Sequence, residues 1–519
     1  MDGSKDGAPA SRRLDRRRPG GEDAAWPAAE TAALRSPDVS FAVVRRLPAI
    51  LAILVVLAAY GFFASGGTYS FRRIGWEDSL YASLGEGFFR GQLSMVHQPD
   101  AALMAMPFPY DYKAREGKVG YIWDASYFDG RYYLYFSPLP VVSFYMPHRL
   151  LRGAYPRDNL AAAVFGAWAF LAAVAFARKA LALRGRALHV PWPVWILLIG
   201  LANVTCYLLV EIRIYEVSIL FGAALTATWA WALARYVEKP TIGRAVWMSV
   251  WLALSIAARP NLGVLLFVAA AVLWLNAKAR LRTFALAGIP LAITFIALVA
   301  YNVARFGQPF EFGTTYQLTF VPMQGLRVCS LCTLGELSRF GNSLMHYLFW
   351  APTIRADFPF VNMQFATPDP KTSFAMPGSE QVVGVFPLVP LAMLGTLFAV
   401  LLALLRRRAD AGTRVGMQMM AAAWLVLLGI STCWWIVSRY SIDFMFLMAA
   451  ATVVCVESGL AFLATTGIRM LPLRIAAIAL AVYSIIYGFL LGFAGPAEGF
   501  KRLHPELFEK LAKMLSLTQ

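Results

Sequence analysis

Long apolar segments recur along almost the whole chain. A helix needs about 20 mostly apolar residues to cross a bilayer, and eleven segments approach that length. They lie at Leu47–Ser65 and at residues 158–177, 192–210, 214–234, 245–258, 261–277, 283–303, 383–405, 415–437, 441–465 and 473–494. Only 15% of the 519 residues are charged, whereas a soluble domain carries about 25%. We therefore predict an all-α membrane protein with about 11 transmembrane helices, within a range of 11 to 13.

The basic residues indicate which helix ends face the cytoplasm. The net charge is +17, but Lys and Arg occur in short runs between apolar segments, as in cytoplasmic loops and contacts to anionic headgroups. No nucleic-acid recognition module accompanies them, which argues against a nucleic-acid partner. Nearly all the runs fall on the cytoplasmic side if Leu134–Leu151 does not cross the membrane. This Pro-rich segment is therefore predicted to be an interfacial or re-entrant helix, unless a second short helix pairs with it.

This topology divides the chain into five parts. The first is rich in Arg, Asp, Gly, Ala and Pro without an apolar period, which is typical of disorder. The last has leucines at helical spacing, which favours a helix on the membrane surface. The parts are a disordered basic cytoplasmic tail (1–44), an N-terminal transmembrane module (45–303) with an outer loop at 66–133, a second extracytoplasmic loop (304–382), C-terminal transmembrane helices (383–494) and an extracytoplasmic amphipathic tail (495–519).

The second loop contains a pair of cysteines, Cys329 and Cys332, in a Cys-x-x-Cys arrangement. A structural zinc site needs four ligands, and no second pair or neighbouring His-x-x-His is present. A disulfide in an oxidising compartment and two free thiols both remain open.

Two neighbouring acids, Glu77 and Asp78, follow the first apolar helix by about a dozen residues. They are therefore expected to lie close to the membrane surface. A carboxylate at such a position is suited to act as a general base that removes the proton of an acceptor hydroxyl. We predict that one of the two is the catalytic base.

A phosphate leaving group would need cationic or hydrogen-bonding partners. The candidates are Arg131, Arg259 and Arg439. Asp124, Tyr127 and Tyr133, together with nearby tryptophans, complete the predicted substrate-binding set, the aromatic rings stacking on sugar faces. The same rings are equally typical of an aromatic belt at the membrane interface.

Three charged groups fall at predicted outer ends of helices. Charges close to a membrane usually face a cavity or one another, and convergence of three groups on one side indicates a shared cavity. Solvated helix ends are the alternative for any single group. The groups are Glu211–Arg213 with Tyr215 and Glu216, then Arg259–Asn261, and then Arg439, Tyr440 and Asp443.

Two stretches of the first loop resemble the GT-C superfamily, polytopic glycosyltransferases that use polyprenyl-phosphate-linked sugars. The superfamily includes protein O-mannosyltransferases and lipid A aminoarabinose transferases. The stretches are EDSLYASLGEGFFRG (Glu77–Gly91) and YFDGRYYLYFSPLP (Tyr127–Pro140). The resemblance implies a GT-C-like fold and a catalytic aspartate in the first outer loop, a role that Asp78 would carry and that neighbouring Glu77 fits almost as well.

The expected function is transfer of a sugar, hexosyl or pentosyl, from a polyprenyl-phosphate donor to a lipid, glycan or protein acceptor. It would take place at the outer face of the cytoplasmic (inner) membrane. The alternative is a transporter or flippase for a lipid-linked or anionic solute, and a structural partner of envelope enzymes is a third class. No cofactor is required by the sequence. A divalent cation held by Asp78 and Asp124 stays open, but spacing alone assembles too few oxygen ligands to assign a metal site.

Overall fold

The computed structural model describes residues 39–324, 337–366, 380–405, 409–433 and 435–515. Most of the predicted basic tail, and both Cys329 and Cys332, lie outside these residues. The chain divides after Leu47 into two units. The first contributes only the start of one helix to the described residues, and apart from the bounds of that helix everything below concerns the second, Pro48–Gln519.

The protein is mostly helical. In chain order the helices are α1 (Val39–Ser65), α2 (Leu80–Phe89), α3 (Ala101–Met104), α4 (Tyr112–Arg115), α5 (Met146–Arg152), α6 (Asp158–Arg184), α7 (Trp192–Leu201), α8 (Thr205–Leu208), α9 (Ile214–Glu238), α10 (Ile242–Ala258), α11 (Leu265–Asn276), α12 (Arg280–Phe306), α13 (Leu337–Phe349), α14 (Val385–Leu388), α15 (Pro390–Leu404), α16 (Ala411–Ser431), α17 (Ile442–Ala464), α18 (Met470–Ala494), α19 (Gly499–Leu503) and α20 (Pro505–Leu515).

Seven helical stretches among the described residues are long and apolar enough to cross a membrane. They are Leu47–Ser65, Asp158–Arg184, Ile214–Glu238, Arg280–Phe306, Ala411–Ser431, Ser438–Ala464 and Met470–Leu503. Four shorter apolar helices, Trp192–Leu208, Ile242–Ala258, Pro260–Asn276 and Pro390–Leu404, coincide with the other four predicted segments. A helical membrane protein is therefore what the fold supports, and eleven crossings remain a prediction.

The helices differ in how far they are enclosed by protein. In the most apolar stretches of α9 and Ser438–Ala464, 94% and 89% of residues are buried, against 11% in α12. A helix that is apolar all round and enclosed belongs to the centre of a bundle. Accordingly α9 packs along α6 and α10, and α17 packs along α15 and α16. The exposed apolar surface of α12 is the kind that lipid covers.

The first loop is closed by a short strand pair. Strand β1 (Arg73–Ile74) pairs antiparallel with β4 (Tyr155–Pro156). Between them lies a hairpin of β2 (Ser126–Phe128) and β3 (Arg131–Tyr133). The segment Leu134–Leu151 contains only a π-helical turn, Val141–Tyr145, running into the seven-residue α5. None of the seven long apolar stretches found in the described part of the chain falls in this segment, and its interfacial or re-entrant position stays a prediction.

The two large loops fold against each other. The backbone N–H of Leu318 donates to Ala125 O at 3.0 Å, and the N–H of Asp124 donates to Leu318 O at 3.1 Å. The Ser126 hydroxyl donates to Gly313 O at 2.8 Å. The second loop adds two more antiparallel pairs, β5 (Thr353–Ile354) with β6 (Val361–Asn362) and β7 (Gln364–Phe365) with β8 (Gln381–Val382). Hydrogen bonds between Asp124–Ser126 and Gly313–Leu318 thus join the two loops.

The C-terminal residues form the predicted amphipathic helix as α20. Leu507, Phe508 and Leu511 are half-buried against the protein core, and the Phe508 ring lies 5.1 Å from Phe358. Leu515 on the same helix is exposed. Part of the apolar face predicted for the membrane surface is therefore occupied by protein contacts.

Candidate functional site

Glu77 and Asp78 immediately precede α2. Ser79 caps this helix, its hydroxyl oxygen accepting from the N–H of Ala82. Both acids are exposed. The Asp78 carboxylate makes no hydrogen bond or ion pair with any residue that the structure describes. Both oxygens of this carboxylate are therefore free to accept hydrogen bonds from a ligand.

Two cavities meet at Asp78. One, of about 370 Å³, is lined by both acids together with Trp123, Arg213 and Tyr215. The other, of about 570 Å³, is lined by Asp78 together with Arg72, Arg157 and Glu211. Asp158 borders both cavities. The predicted base therefore lies where two openings join.

Asp158, at the start of α6, fixes the position of the Asp78 segment. Its Oδ1 accepts hydrogen bonds from the hydroxyls of Ser79 and Tyr145, both at 2.6 Å. The rings of Tyr145 and Tyr81 stack 5.4 Å apart, and the Tyr81 hydroxyl donates to Ile214 O at 2.7 Å. Burial, assisted by the Asp158 charge, raises the pKa of Tyr81 and of Tyr145 well above the usual value, so both remain protonated donors. Sequence reasoning did not single out Asp158, although an acid directly before a long apolar helix was a signal.

The cations that line these cavities with Asp78 are Arg72, Arg157 and Arg213. Arg213 belongs to one of the predicted outer-face groups, whereas Arg72 and Arg157 were not predicted. Arg72 and Arg157 are exposed and form no ion pair with an acid in the described ranges. Arg213 donates to Glu211 Oε1 at 2.9 Å, and Glu211 also accepts from Arg502. Two unneutralised guanidinium groups therefore border the larger cavity, where they are suited to bind a phosphate.

Arg439 and Asp124, both predicted, belong to one cluster behind the smaller cavity. The Tyr215 hydroxyl donates to Asp124 Oδ2, and the Arg439 guanidinium lies 4.1 Å from the centre of the Tyr215 ring. Arg439 also forms an ion pair with Glu380. Burial raises the pKa of Asp124 to about 6, with Arg439 opposing the rise and Glu380 adding to it. Tyr215 connects this cluster to the cavity that contains Asp78.

Arg259, the third predicted phosphate ligand, is already neutralised. Its Nε and Nη2 donate to Asp443 Oδ2 at 2.9 and 2.6 Å, and Asn261 donates to the same oxygen at 2.9 Å. The Tyr440 ring lies 5.8 Å from the Arg259 guanidinium and 5.7 Å from that of Arg439. Tyr440 thus joins two of the three predicted outer-face groups, that of Arg259 and that of Arg439. Tyr215, which contacts Arg439, adds the third group, which contains Glu211 and Arg213.

The other predicted residues lie elsewhere in the loop. Arg131 is exposed at the corner of the β2–β3 hairpin. Tyr127 and Tyr133 are buried. The Tyr133 ring packs against Phe306 at 5.2 Å, and the Tyr127 carbonyl accepts from Tyr110. Tyr133 therefore packs on the end of α12, and Tyr127 is held within the first loop. The predicted aromatic residue of this loop that does line the small cavity is Trp123.

No group of three or more His, Cys, Asp or Glu side chains that could hold a metal ion occurs within the described ranges. Asp124 is held by Tyr215, whereas Asp78 is exposed. The described acids therefore do not assemble a site for the divalent cation that the sequence left open.

No family model matches the chain, and no curated protein matches it significantly. A functional interpretation therefore depends on the geometry of the site and on the resemblance carried by the first loop.

Proposed function

We propose that this protein is a membrane glycosyltransferase of the GT-C type. It would move a sugar from a polyprenyl-phosphate donor to a hydroxyl acceptor at the outer face of the cytoplasmic membrane. The observation that carries the proposal is the position of Asp78, an exposed and unpartnered carboxylate at the junction of two cavities, with Arg72 and Arg157 on the wall of the larger one.

In the proposed reaction, Asp78 accepts the proton of the acceptor hydroxyl while the hydroxyl oxygen attacks the anomeric carbon. The bond from this carbon to the phosphate oxygen breaks, and its electron pair leaves with the polyprenyl phosphate. A single displacement inverts the anomeric configuration. Arg72 and Arg157 stabilise the negative charge that grows on the leaving phosphate, and Trp123 offers a ring face for the sugar. Glu77 lines only the smaller cavity, which favours Asp78 as the base.

The proposal is tested with purified protein in lipid nanodiscs and radiolabelled polyprenyl-phosphate sugars. Label should move to an acceptor with the natural chain, and Asp78→Asn should abolish transfer while the thermal unfolding midpoint stays unchanged. Asp129→Asn is the matched control, because it removes an exposed acid of the same loop at a positive φ of 47° that asparagine tolerates.

Two results would redirect the assignment. Loss of transfer in Glu77→Gln with full activity in Asp78→Asn would make Glu77 the base. Uptake of an anionic or lipid-linked solute into vesicles, without any covalent transfer of label, would support the transporter alternative instead.

A further inference from the structure

A third cavity is lined by the Gly75–Trp76 segment that precedes the acid pair. It measures about 480 Å³, and its walls include Arg73, Trp76, Glu86, Arg149 and Tyr155. We call it the arginine pocket. It adjoins the strand pair that closes the first loop, since Ile74 pairs with Tyr155, and it shares no lining residue with the two cavities around Asp78.

The charge of the arginine pocket is positive after internal pairing. Glu86, the acid among its lining residues, accepts from Arg90 at 3.3 Å and from the Tyr155 hydroxyl at 3.2 Å. Neither Arg73 nor Arg149 forms an ion pair with an acid among the residues described. The two guanidinium groups therefore remain uncompensated.

Both arginines are held in place by one backbone contact each. Arg73 Nη1 donates to Arg152 O at 3.3 Å, and Arg149 Nη1 donates to Gly153 O at 2.9 Å. A guanidinium carries five N–H donors, so most donors of each group remain for a ligand. Two anchored cations at one cavity are suited to a phosphate group.

Next to the pocket, α5 presents apolar side chains to the outside. Leu150 and Leu151 are 72% and 81% exposed, and no residue of α5 is buried. Arg149 and Arg152 flank these leucines on the same short helix. A helix with exposed leucines beside arginines is typical of the membrane interface, where the apolar side chains enter the acyl region and the cations meet phosphates.

We infer that the arginine pocket binds the headgroup phosphate of an anionic phospholipid, with Leu150 and Leu151 in the adjoining acyl chains. The positive charge of the pocket favours a phosphate as the ligand, and the exposed leucines favour a lipid over a soluble anion. The lipid would hold the closing strand pair, and with it the start of the first loop, against the bilayer. This inference does not depend on sugar transfer.

The experiment compares lipid retention by the purified full chain in nanodiscs of phosphatidylglycerol or phosphatidylcholine. After transfer to detergent, native mass spectrometry counts the lipids that remain bound. The double variant R73Q/R149Q should lower phosphatidylglycerol retention about 30-fold, the effect of two cations at an anionic surface. It should lower phosphatidylcholine retention much less, because the choline cation of that lipid offsets the charge of its phosphate. R131Q, an exposed arginine of the same loop, is the matched control and should behave as the natural chain.

Two further variants separate the parts of the inference. R73K/R149K keeps both charges and should retain most of the phosphatidylglycerol, which distinguishes loss of binding from loss of fold. L150S/L151S should weaken retention of both lipids. Equal retention by R73Q/R149Q and the natural chain would overturn the inference, as would displacement of the bound lipid by inorganic phosphate alone or unchanged retention in L150S/L151S.

Discussion

Arg259 donates two hydrogen bonds to one carboxylate oxygen of Asp443, although the two residues lie 184 positions apart in the chain. Arg259 ends α10, and Asp443 lies in the first turn of α17. The Asp443 side chain is 0% exposed and that of Arg259 is 11% exposed. The pair therefore connects the break between α10 and α11 to a central helix, and each charge is enclosed only because the other is present.

Removing one member of this pair should be costly. Asp443→Asn leaves the Arg259 cation enclosed without a counterion, and we expect it to lower the free energy of unfolding by about 3–5 kcal/mol. The double variant R259M/D443L, which replaces both charges by apolar groups, should recover most of this loss. Reversible unfolding by SDS titration in mixed micelles measures both changes. A double variant that is no more stable than Asp443→Asn would contradict the interpretation.

The grouping of Arg259, Arg439 and Asp443 followed from the sequence because charges near a membrane need partners. Because unpaired charges there are expensive, these groups are expected to meet. The same cost does not determine which partner each charge takes. Arg259 was expected to bind a phosphate. Its guanidinium instead forms an ion pair with Asp443, because an enclosed acid and base of the same chain neutralise each other.

Contacts between the two loops were not predictable from periodicity. They depend on pairs such as Ala125 with Leu318, which are single backbone hydrogen bonds across almost two hundred residues. For the same reason Arg72 and Arg157 were missed, because only the folding of the loop brings them beside Asp78.

For Arg131 the sequence did contain a local signal, the Asp129–Gly130 pair that precedes it. The preceding Asp129 and Gly130 both have positive φ, as in a two-residue hairpin turn, which places Arg131 at an exposed corner.

The proposed phosphate role of Arg72 and Arg157 predicts a specific kinetic change. In R72Q/R157Q the leaving phosphate loses two charge-assisted contacts, so kcat/KM for the polyprenyl-phosphate donor should fall about 100-fold or more. R131Q should change it less than about twofold. Steady-state assays at varied donor concentration measure both values. Equal effects of the two variants would show that the arginines act only through general surface charge.

Asp124 should make stability depend on pH. Burial raises its pKa from 3.8 to about 6, so between these values the unfolded chain ionises while the folded chain keeps its proton. Below about pH 4, Asp124 therefore contributes about 3 kcal/mol to the free energy of unfolding. This contribution is lost as the pH rises through about 6. Asp124→Asn removes this dependence, because asparagine does not titrate and its side-chain oxygen still accepts from Tyr215. The unfolding free energies of the two proteins are measured from pH 4 to pH 7. They should be equal near pH 4, where asparagine substitutes for the protonated acid, and should differ increasingly as the pH rises. A difference that does not change with pH would contradict the assignment.

The contact between α18 and α7 should tolerate no side chain at Gly488. A Cβ at this position would lie 2.0 Å from the carbonyl oxygen of Leu201 and 3.2 Å from Cα of Ala202. These are backbone atoms, so the helices must separate, whereas small residues normally allow such close approach. Gly488→Ala should therefore lower the unfolding free energy by about 1–3 kcal/mol. Gly288→Ala in α12 is the matched control, since nothing lies within 4 Å of its Cβ, and there the better helix propensity of alanine should stabilise by up to about 1 kcal/mol. SDS titration of the two variants in parallel tests the contact, and equal midpoints would show that α18 and α7 are not packed this closely.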